Sequence, residues 1–153
     1  MLSVVVAVAV VDCRVDVFFV IDLSVSIGSS DNFDDMKSFI SDLVIGRLNV
    51  GSCNTRVGVV SHSTRRIDSI DLNEHSSEVS DLQCAILSLR YRATPGETNT
   101  GDALEHIRLS MLTPAAGDRG DVPNVVLVLT AGFSNDPSKT RVRVKYHFEF
   151  FYR

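Results

Sequence analysis

The sequence has no tryptophan, and only 3 of its 153 residues are cysteine. The cysteines form no Cys-x-x-Cys pair and have no histidine at zinc-ligand spacing, which argues against a structural zinc site. Glycine and proline, at 9 and 4 residues, are too few for a collagen-like or low-complexity chain. With 44% hydrophobic and 22% charged residues, the composition is typical of a globular domain with its own core.

Positive charge is also scarce. The chain has 15 Lys and Arg against 19 Asp and Glu, a net charge of -4, and its sequence pI is about 5.5. Nucleic-acid binding needs a clustered excess of basic residues to neutralise phosphates, so we predict no nucleic-acid partner. A divalent cation or a basic protein surface suits this acidic balance better.

No hydrophobic run is long enough to cross a membrane. The apolar N-terminal segment covers residues 1–12, whereas a bilayer core needs about 20 apolar residues, so we predict no membrane association. The Ala7-Val8-Ala9 step has the small residues of a signal-peptide cleavage site, but no basic residues precede it. Two interpretations of residues 1–12 stay open: a signal-peptide remnant and an additional buried strand.

Predicted strands and helices alternate along the chain. The strands are short apolar runs at residues 15–21, 56–61 and 124–130, with a weaker, more polar one at 65–72. The helices have apolar residues at spacings of three and four. Ser29, Ser30 and Asp31 offer an N-cap to the first helix, Ser76 or Ser77 is expected to cap the second, and the third begins near Thr100. This alternation predicts a doubly wound α/β fold, with a mostly parallel sheet flanked by helices.

Polar residues follow the predicted strands at the edge where open α/β sheets bind ligands. Asp22, Ser24 and Ser26 alternate along the first loop, residues 96–101 offer hydroxyls and a carboxylate, and residues 130–132 follow the last strand. Oxygen ligands without sulfur or imidazole suit a hard cation such as Mg²⁺. On the Asp-x-Ser-x-Ser motif alone, helix capping is the simpler interpretation, and it stays open beside the metal site.

Three segments in this order resemble the von Willebrand factor type A domain: residues 16–26 (DVFFVIDLSVS), 89–104 (LRYRATPGETNTGDAL) and 122–132 (VPNVVLVLTAG). The copies in matrilins and non-fibrillar collagens are the most similar, and the inserted domain of integrins is related. The resemblance implies a Rossmann-like α/β fold, incomplete at the C-terminus. It divides the chain into the apolar segment 1–12, a von Willebrand factor A-like domain at 13–137, and a divergent basic and aromatic tail at 138–153.

The resemblance also implies a metal-ion-dependent adhesion site. In the family, the first loop supplies an Asp and two Ser, which correspond to Asp22, Ser24 and Ser26, and the second loop supplies a Thr, which corresponds to Thr98. The fifth position is an Asp in a Thr-Asp-Gly step, and here it is occupied by Ala131. We expect an Mg²⁺ or Mn²⁺ site whose affinity is lowered by about 10- to 100-fold through this loss.

The function that the resemblance implies is that of a secreted, extracellular, non-enzymatic module for protein interaction and cell–matrix adhesion. Its ligand is expected to be collagen or another extracellular matrix protein that offers an acidic residue to the cation. Two alternatives stay open: a scaffold domain without cation dependence, and a nucleotide-binding or hydrolytic α/β enzyme. Against the enzyme, the sequence has no GxxxxGK[ST] loop, no GxGxxG after the first strand and no GxSxG elbow.

The tail departs from the family, whose members continue with further helices and strands. Apolar and mostly basic residues alternate over residues 141–150, a period-two pattern that predicts a strand with one apolar face. We expect a truncated C-terminus. The alternative is that this segment serves as a replacement strand or binds a membrane surface.

The remaining cysteines and histidines carry weaker signals. Cys84 is predicted to be a small packing residue inside the second helix. His62 lies beside serines, but adjacent strand residues point to opposite faces, so no Ser–His catalytic pair is expected. His75 and His106 are predicted to be surface residues.

Overall fold

A computed structural model of the chain describes residues 14–63, 67–91, 98–132 and 134–140. Within these ranges the strands are β1 (Asp16–Asp22), β2 (Arg56–His62), β3 (Ile67–Ile70) and β4 (Asn124–Leu129). They form one sheet in the order β3-β2-β1-β4. β1 is parallel to both β2 and β4, and β3 is antiparallel to β2. The predicted mostly parallel sheet is therefore confirmed.

The helices are α1 (Ser30–Gly46), α2 (Val79–Ser88) and α3 (Thr100–His106), and α3 continues as a π-helical turn over Ile107–Met111. Short 3-10 turns cover Val25–Ile27 and Pro114–Ala116. The expected cap of α1 is confirmed, since the Ser29 hydroxyl accepts the Asn32 N–H at 3.2 Å. The expected cap of α2 is wrong: Glu78, with an extended backbone, takes the N-cap position in place of Ser76 or Ser77.

Both faces of β1 are covered, which explains why the whole strand is buried. Its odd-numbered apolar residues pack against α1 and α2 in a cluster that includes Phe19, Ile21, Phe33, Ile40, Leu82 and Ile86. Its even-numbered apolar residues pack against α3 and its π-helical turn in a second cluster that includes Phe18, Val20, Leu104, Ile107 and Met111. The sheet is thus the middle layer of a three-layer α/β fold.

The two cysteines that the structure describes do not lie in the core. Cys84 is exposed on α2, contrary to the prediction that it packs inward, because Leu82 and Ile86 take the buried positions of that helix. Cys53 is also a free, exposed cysteine. His75 and His106 are partly exposed, in agreement with their prediction as surface residues.

Two predicted segments cannot be compared with the fold. The apolar residues 1–12 and the alternating residues 141–150 lie outside the described residues. Within the ranges that the structure does describe, no helix has the length and apolarity required to cross a membrane.

A buried ion pair lies at the N-terminal end of β1. Asp16, the first residue of β1, is fully buried, and its Oδ1 accepts from Arg119 Nη2 at 2.5 Å and from Arg119 Nε at 3.0 Å. The same Nη2 donates to the carbonyl of Asn54 at 2.7 Å. One guanidinium therefore joins β1, the segment before β2 and the loop before β4.

Replacing Arg119 with methionine leaves the Asp16 carboxylate buried without its cation. We expect the Arg119→Met variant to lose about 3–5 kcal/mol of unfolding free energy, measured by urea denaturation. Arg14→Met is the control, because the Arg14–Asp121 pair is exposed and its loss is expected to cost less than about 1 kcal/mol. Equal losses in the two variants would contradict the importance of the buried pair.

Candidate metal centre

The carboxyl ends of the parallel strands meet at one edge of the sheet, and three loops converge there. The first loop follows β1, the second precedes α3, and the third follows β4. This convergence brings together the four side chains that the sequence predicts as ligands: Asp22, Ser24, Ser26 and Thr98.

The fully buried Asp22 carboxylate is the centre of this cluster. Its Oδ1 accepts the backbone N–H of Ser24 at 2.8 Å, which fixes the plane of the carboxylate. Its Oδ2 lies within hydrogen-bonding distance of four hydroxyls: those of Ser24 (3.0 Å), Ser26 (3.3 Å), Thr98 (3.4 Å) and Thr130 (2.9 Å). Hydroxyl oxygens from three separate loops therefore surround one carboxylate oxygen.

The chemistry of this oxygen cluster fits a hard divalent cation. Ser24 Oγ also lies 2.6 Å from Ser26 Oγ and 3.0 Å from Thr98 Oγ1. Because each hydroxyl has a single hydrogen to donate, these contacts leave oxygen lone pairs facing one another. Among the described residues, no Lys or Arg forms an ion pair with Asp22. A cation would satisfy the lone pairs and compensate the buried charge.

Thr130 belongs to the cluster although it was not among the predicted ligands. Its hydroxyl contacts Asp22 Oδ2 at 2.9 Å, and its Oγ1 accepts the N–H of Gly132 at 3.2 Å. Its position directly after β4 could have identified it in the sequence, because a residue there lies beside the end of β1 once the two strands pair in parallel. Its role in the cluster is to hold the carboxylate from the side of the third loop.

Ala131 is exposed and brings no oxygen side chain to the site. The nearby Asp136 carboxylate does not replace the missing one, since its Oδ1 accepts the backbone N–H of Lys139 at 2.7 Å and caps the helical turn at residues 137–140. Within the described ranges, Asp22 is consequently the one carboxylate among the assembled hydroxyls. The described residues contain no group of three or more His, Cys, Asp and Glu side chains suited to a metal.

The segment after the third loop holds Thr98 in place. The Thr98 N–H donates to Asn135 Oδ1 at 3.3 Å, and the Asn135 N–H donates to the Thr98 carbonyl at 3.1 Å. Lys139, further along this segment, forms ion pairs with Asp102 and Glu105 of α3. Asn135 is thus a positioning residue for Thr98, and no local sequence motif indicates a contact between residues so far apart in the chain.

His62 is a second buried titratable group at this edge. It is the last residue of β2 and is paired in register with Asp22 of β1. Only 1% of His62 is exposed. Neither imidazole nitrogen has a hydrogen-bond partner within the described part of the chain. Burial lowers the pKa of His62, while the negative charges of Asp22 and Asp102 act in the opposite direction.

Gly132 allows the first and third loops to approach closely. A methyl group added at its Cα would lie 3.0 Å from Ser26 Oγ and 3.1 Å from Ser26 Cβ. Both distances are shorter than ordinary van der Waals contacts, so a larger residue here requires Ser26 to shift by a few tenths of an ångström.

We expect Gly132→Ala to lower the unfolding free energy by about 1–3 kcal/mol, because the added methyl overpacks the contact between the two loops. Gly120→Ala is the matched control, since a methyl there meets no atom within 4 Å and is expected to leave stability unchanged or slightly increased. Urea denaturation compares the two variants. If Gly132→Ala is as stable as Gly120→Ala, the close approach does not constrain the loops.

Comparison with known proteins agrees with the resemblance found in the sequence. The relatives include mouse (Mus musculus) vitrin, 32% identical over 133 residues, and the human (Homo sapiens) collagen alpha-1(XX) chain, 37% identical over 129 residues. These alignments cover 87% and 84% of this chain but 20% and 10% of the respective relatives. The chain therefore spans only a small part of the relatives that it matches.

Solved structures of proximal thread matrix protein 1 from the mussel byssus are also similar. One has a TM-score of 0.76 and 27% identity, covering 87% of this chain and 34% of that one. Another, described as having a zinc-occupied MIDAS motif, has a TM-score of 0.69 and 34% identity, covering 84% and 32%. The family model of the von Willebrand factor type A domain matches residues 16–147. With most of its length matched and the α/β fold in agreement, the chain belongs to the von Willebrand factor type A domain family.

Proposed function

We propose that this chain is a non-enzymatic adhesion module that holds a divalent cation at Asp22 and binds an extracellular matrix protein through it. The observation that carries the proposal is the fully buried Asp22 carboxylate, surrounded by four hydroxyls and without an ion-pair partner among the described residues. A buried charge of this kind needs compensation, and a cation supplies it.

The proposed ligands of the cation are Asp22, Ser24, Ser26 and Thr98. Mg²⁺ and Mn²⁺ suit oxygen ligands, and the zinc-occupied motif of the similar mussel structure supports a divalent site in this kind of domain. With one carboxylate in the set, a bound dication retains positive charge and attracts an acidic side chain of a partner. The cation thus supplies electrostatic attraction, and the loops supply its position.

The surface around the site suits a protein partner. Ser26 is exposed, Val25 beside it is 54% exposed, and Ala131 is exposed on the third loop. A small apolar rim beside a charged centre can be buried against another protein. Relatives named as collagens and as a thread matrix protein support an extracellular matrix ligand, with collagen as the leading candidate, and an extracellular location.

A scaffold domain without cation dependence is the second candidate. Ala131 favours it, because the third loop brings no carboxylate to the site. The two candidates differ in whether removal of the cation abolishes partner binding.

Cation binding is tested by isothermal titration calorimetry of the full chain with Mg²⁺ and with Mn²⁺. We expect saturable binding that is lost in Asp22→Asn, because this substitution removes the only proposed anionic ligand. Ala131→Asp is expected to raise the affinity by about 10- to 100-fold. Asp31→Asn, which changes an exposed carboxylate on α1, is the control and is expected to bind as the unmodified chain does. Equal heats for Asp22→Asn and Asp31→Asn would contradict the proposed site.

Partner binding is tested by surface plasmon resonance on immobilised triple-helical collagen. We expect binding that EDTA removes, that Asp22→Asn abolishes and that Asp31→Asn retains. Binding that survives both EDTA and Asp22→Asn favours the scaffold. If the chain binds the cation but not collagen, the proposed metal site stands and collagen is wrong as the ligand.

A further inference from the structure

We propose that the imidazole of His62 supplies a nitrogen ligand to the cation held at Asp22, so that the site prefers an imidazole-binding transition metal such as Zn²⁺ or Co²⁺ to Mg²⁺. This inference rests on the proposed function, because it requires a cation at Asp22. It adds a ligand on β2 to a set that otherwise comes from the three loops and the end of β1.

The position of His62 brings its side chain beside that of Asp22. The two residues are paired in register on adjacent parallel strands, which lie about 4.8 Å apart. Residues two apart on a strand share a face, and Val20 and Val60, which precede this pair, both belong to the cluster that packs against α3. Asp22 and His62 therefore leave the sheet on the same face as neighbours.

A backbone hydrogen bond between β2 and the first loop keeps His62 and Asp22 side by side. The carbonyl of His62 accepts the N–H of Leu23 at 2.8 Å, so the pairing of β1 and β2 continues to the first residue of the ligand loop. His62 therefore lies at the level of the carboxylate rather than deeper in the core.

The imidazole nitrogens of His62 lack a hydrogen-bond partner among the described residues. Both nitrogens are buried. A neutral imidazole has one N–H donor and one lone pair, and a buried polar group without a partner in a native fold points to a water or an ion. The oxygens of Asp22 already accept the Ser24 N–H and surrounding hydroxyls, so they do not satisfy His62 directly.

The protonation state of His62 suits a metal. Burial lowers the pKa of His62 and is the largest influence on it, ahead of the two carboxylates that raise it. A lowered pKa favours the neutral imidazole, the form whose nitrogen lone pair can bind a metal ion.

A nitrogen ligand changes which cation the site selects. Mg²⁺ is bound mainly by oxygen, whereas Zn²⁺ and Co²⁺ readily accept imidazole together with carboxylate. The absence of a carboxylate at position 131, where Ala131 stands, also favours Zn²⁺ and Co²⁺ over Mg²⁺, because a site with little negative charge is poorly suited to a hard cation. A neutral nitrogen ligand strengthens the binding of transition metals without adding charge.

The first test compares metal affinities of the full chain, His62→Phe and His75→Phe by titration calorimetry with Zn²⁺, Co²⁺ and Mg²⁺. Phenylalanine keeps an aromatic ring of similar size and removes the nitrogens. We expect His62→Phe to weaken Zn²⁺ and Co²⁺ binding by about 10- to 100-fold and to leave Mg²⁺ binding within about twofold. His75→Phe, which changes a histidine outside the site, is expected to bind all three ions as the unmodified chain does.

A second test does not depend on the folding of His62→Phe. The chain has 4 histidines, so a triple variant with His75→Phe, His106→Phe and His147→Phe retains His62 alone. We expect pulsed electron paramagnetic resonance of bound Co²⁺ in this variant to detect coupling to an imidazole nitrogen. Absence of this coupling while Co²⁺ is bound would overturn the inference.

The outcomes separate this inference from the proposed function. If Asp22→Asn binds Zn²⁺ as tightly as the unmodified chain, the proposed cation site itself is wrong. If Asp22→Asn loses Zn²⁺ but His62→Phe retains it, the cation site stands and the nitrogen ligand is wrong. In that second case, a buried water is the remaining partner for His62.

Discussion

The parallel pairing of β1 with both β2 and β4 is the constraint on which the candidate site depends. Because the three strands run in the same direction, their carboxyl ends lie at one edge, and the loops that follow β1 and β4 must approach each other there. The register then sets Asp22 beside His62 and brings Thr130 within reach of the same carboxylate. Without this arrangement, Asp22 would be an isolated polar residue at the end of a buried strand.

The two ends of β1 each carry a buried carboxylate, and the two carboxylates differ in how their charge is compensated. At the N-terminal end, Asp16 is compensated by the guanidinium of Arg119 and serves to join segments of the fold. At the carboxyl end, Asp22 is surrounded by hydroxyls, and no basic side chain among the described residues compensates it. Both charges are costly to bury, so the difference separates a structural ion pair from a site that can accept an external cation.

Most of the fold could be predicted because hydrophobic periodicity reports which face of a segment is buried. The continuous apolar runs of β1 and β4 and the three- and four-residue spacings of α1 required no tertiary information. The errors have local causes. Serines before α2 were expected to cap it, but the helix begins later and Glu78 takes the N-cap position. Cys84 was expected to pack inward, but Leu82 and Ile86 already fill the buried face of its helix.

The sequence by itself determined the order of strands and helices, the family, and four candidate ligands, because these follow from local patterns and short motifs. Only the tertiary structure decided that Thr130 holds the Asp22 carboxylate, that Asn135 clamps Thr98, and that the nitrogens of His62 lie buried without a partner among the described residues. The physical reason is that these contacts join residues on different loops and strands. Their distances are set by strand pairing and register, which no local pattern in the sequence encodes.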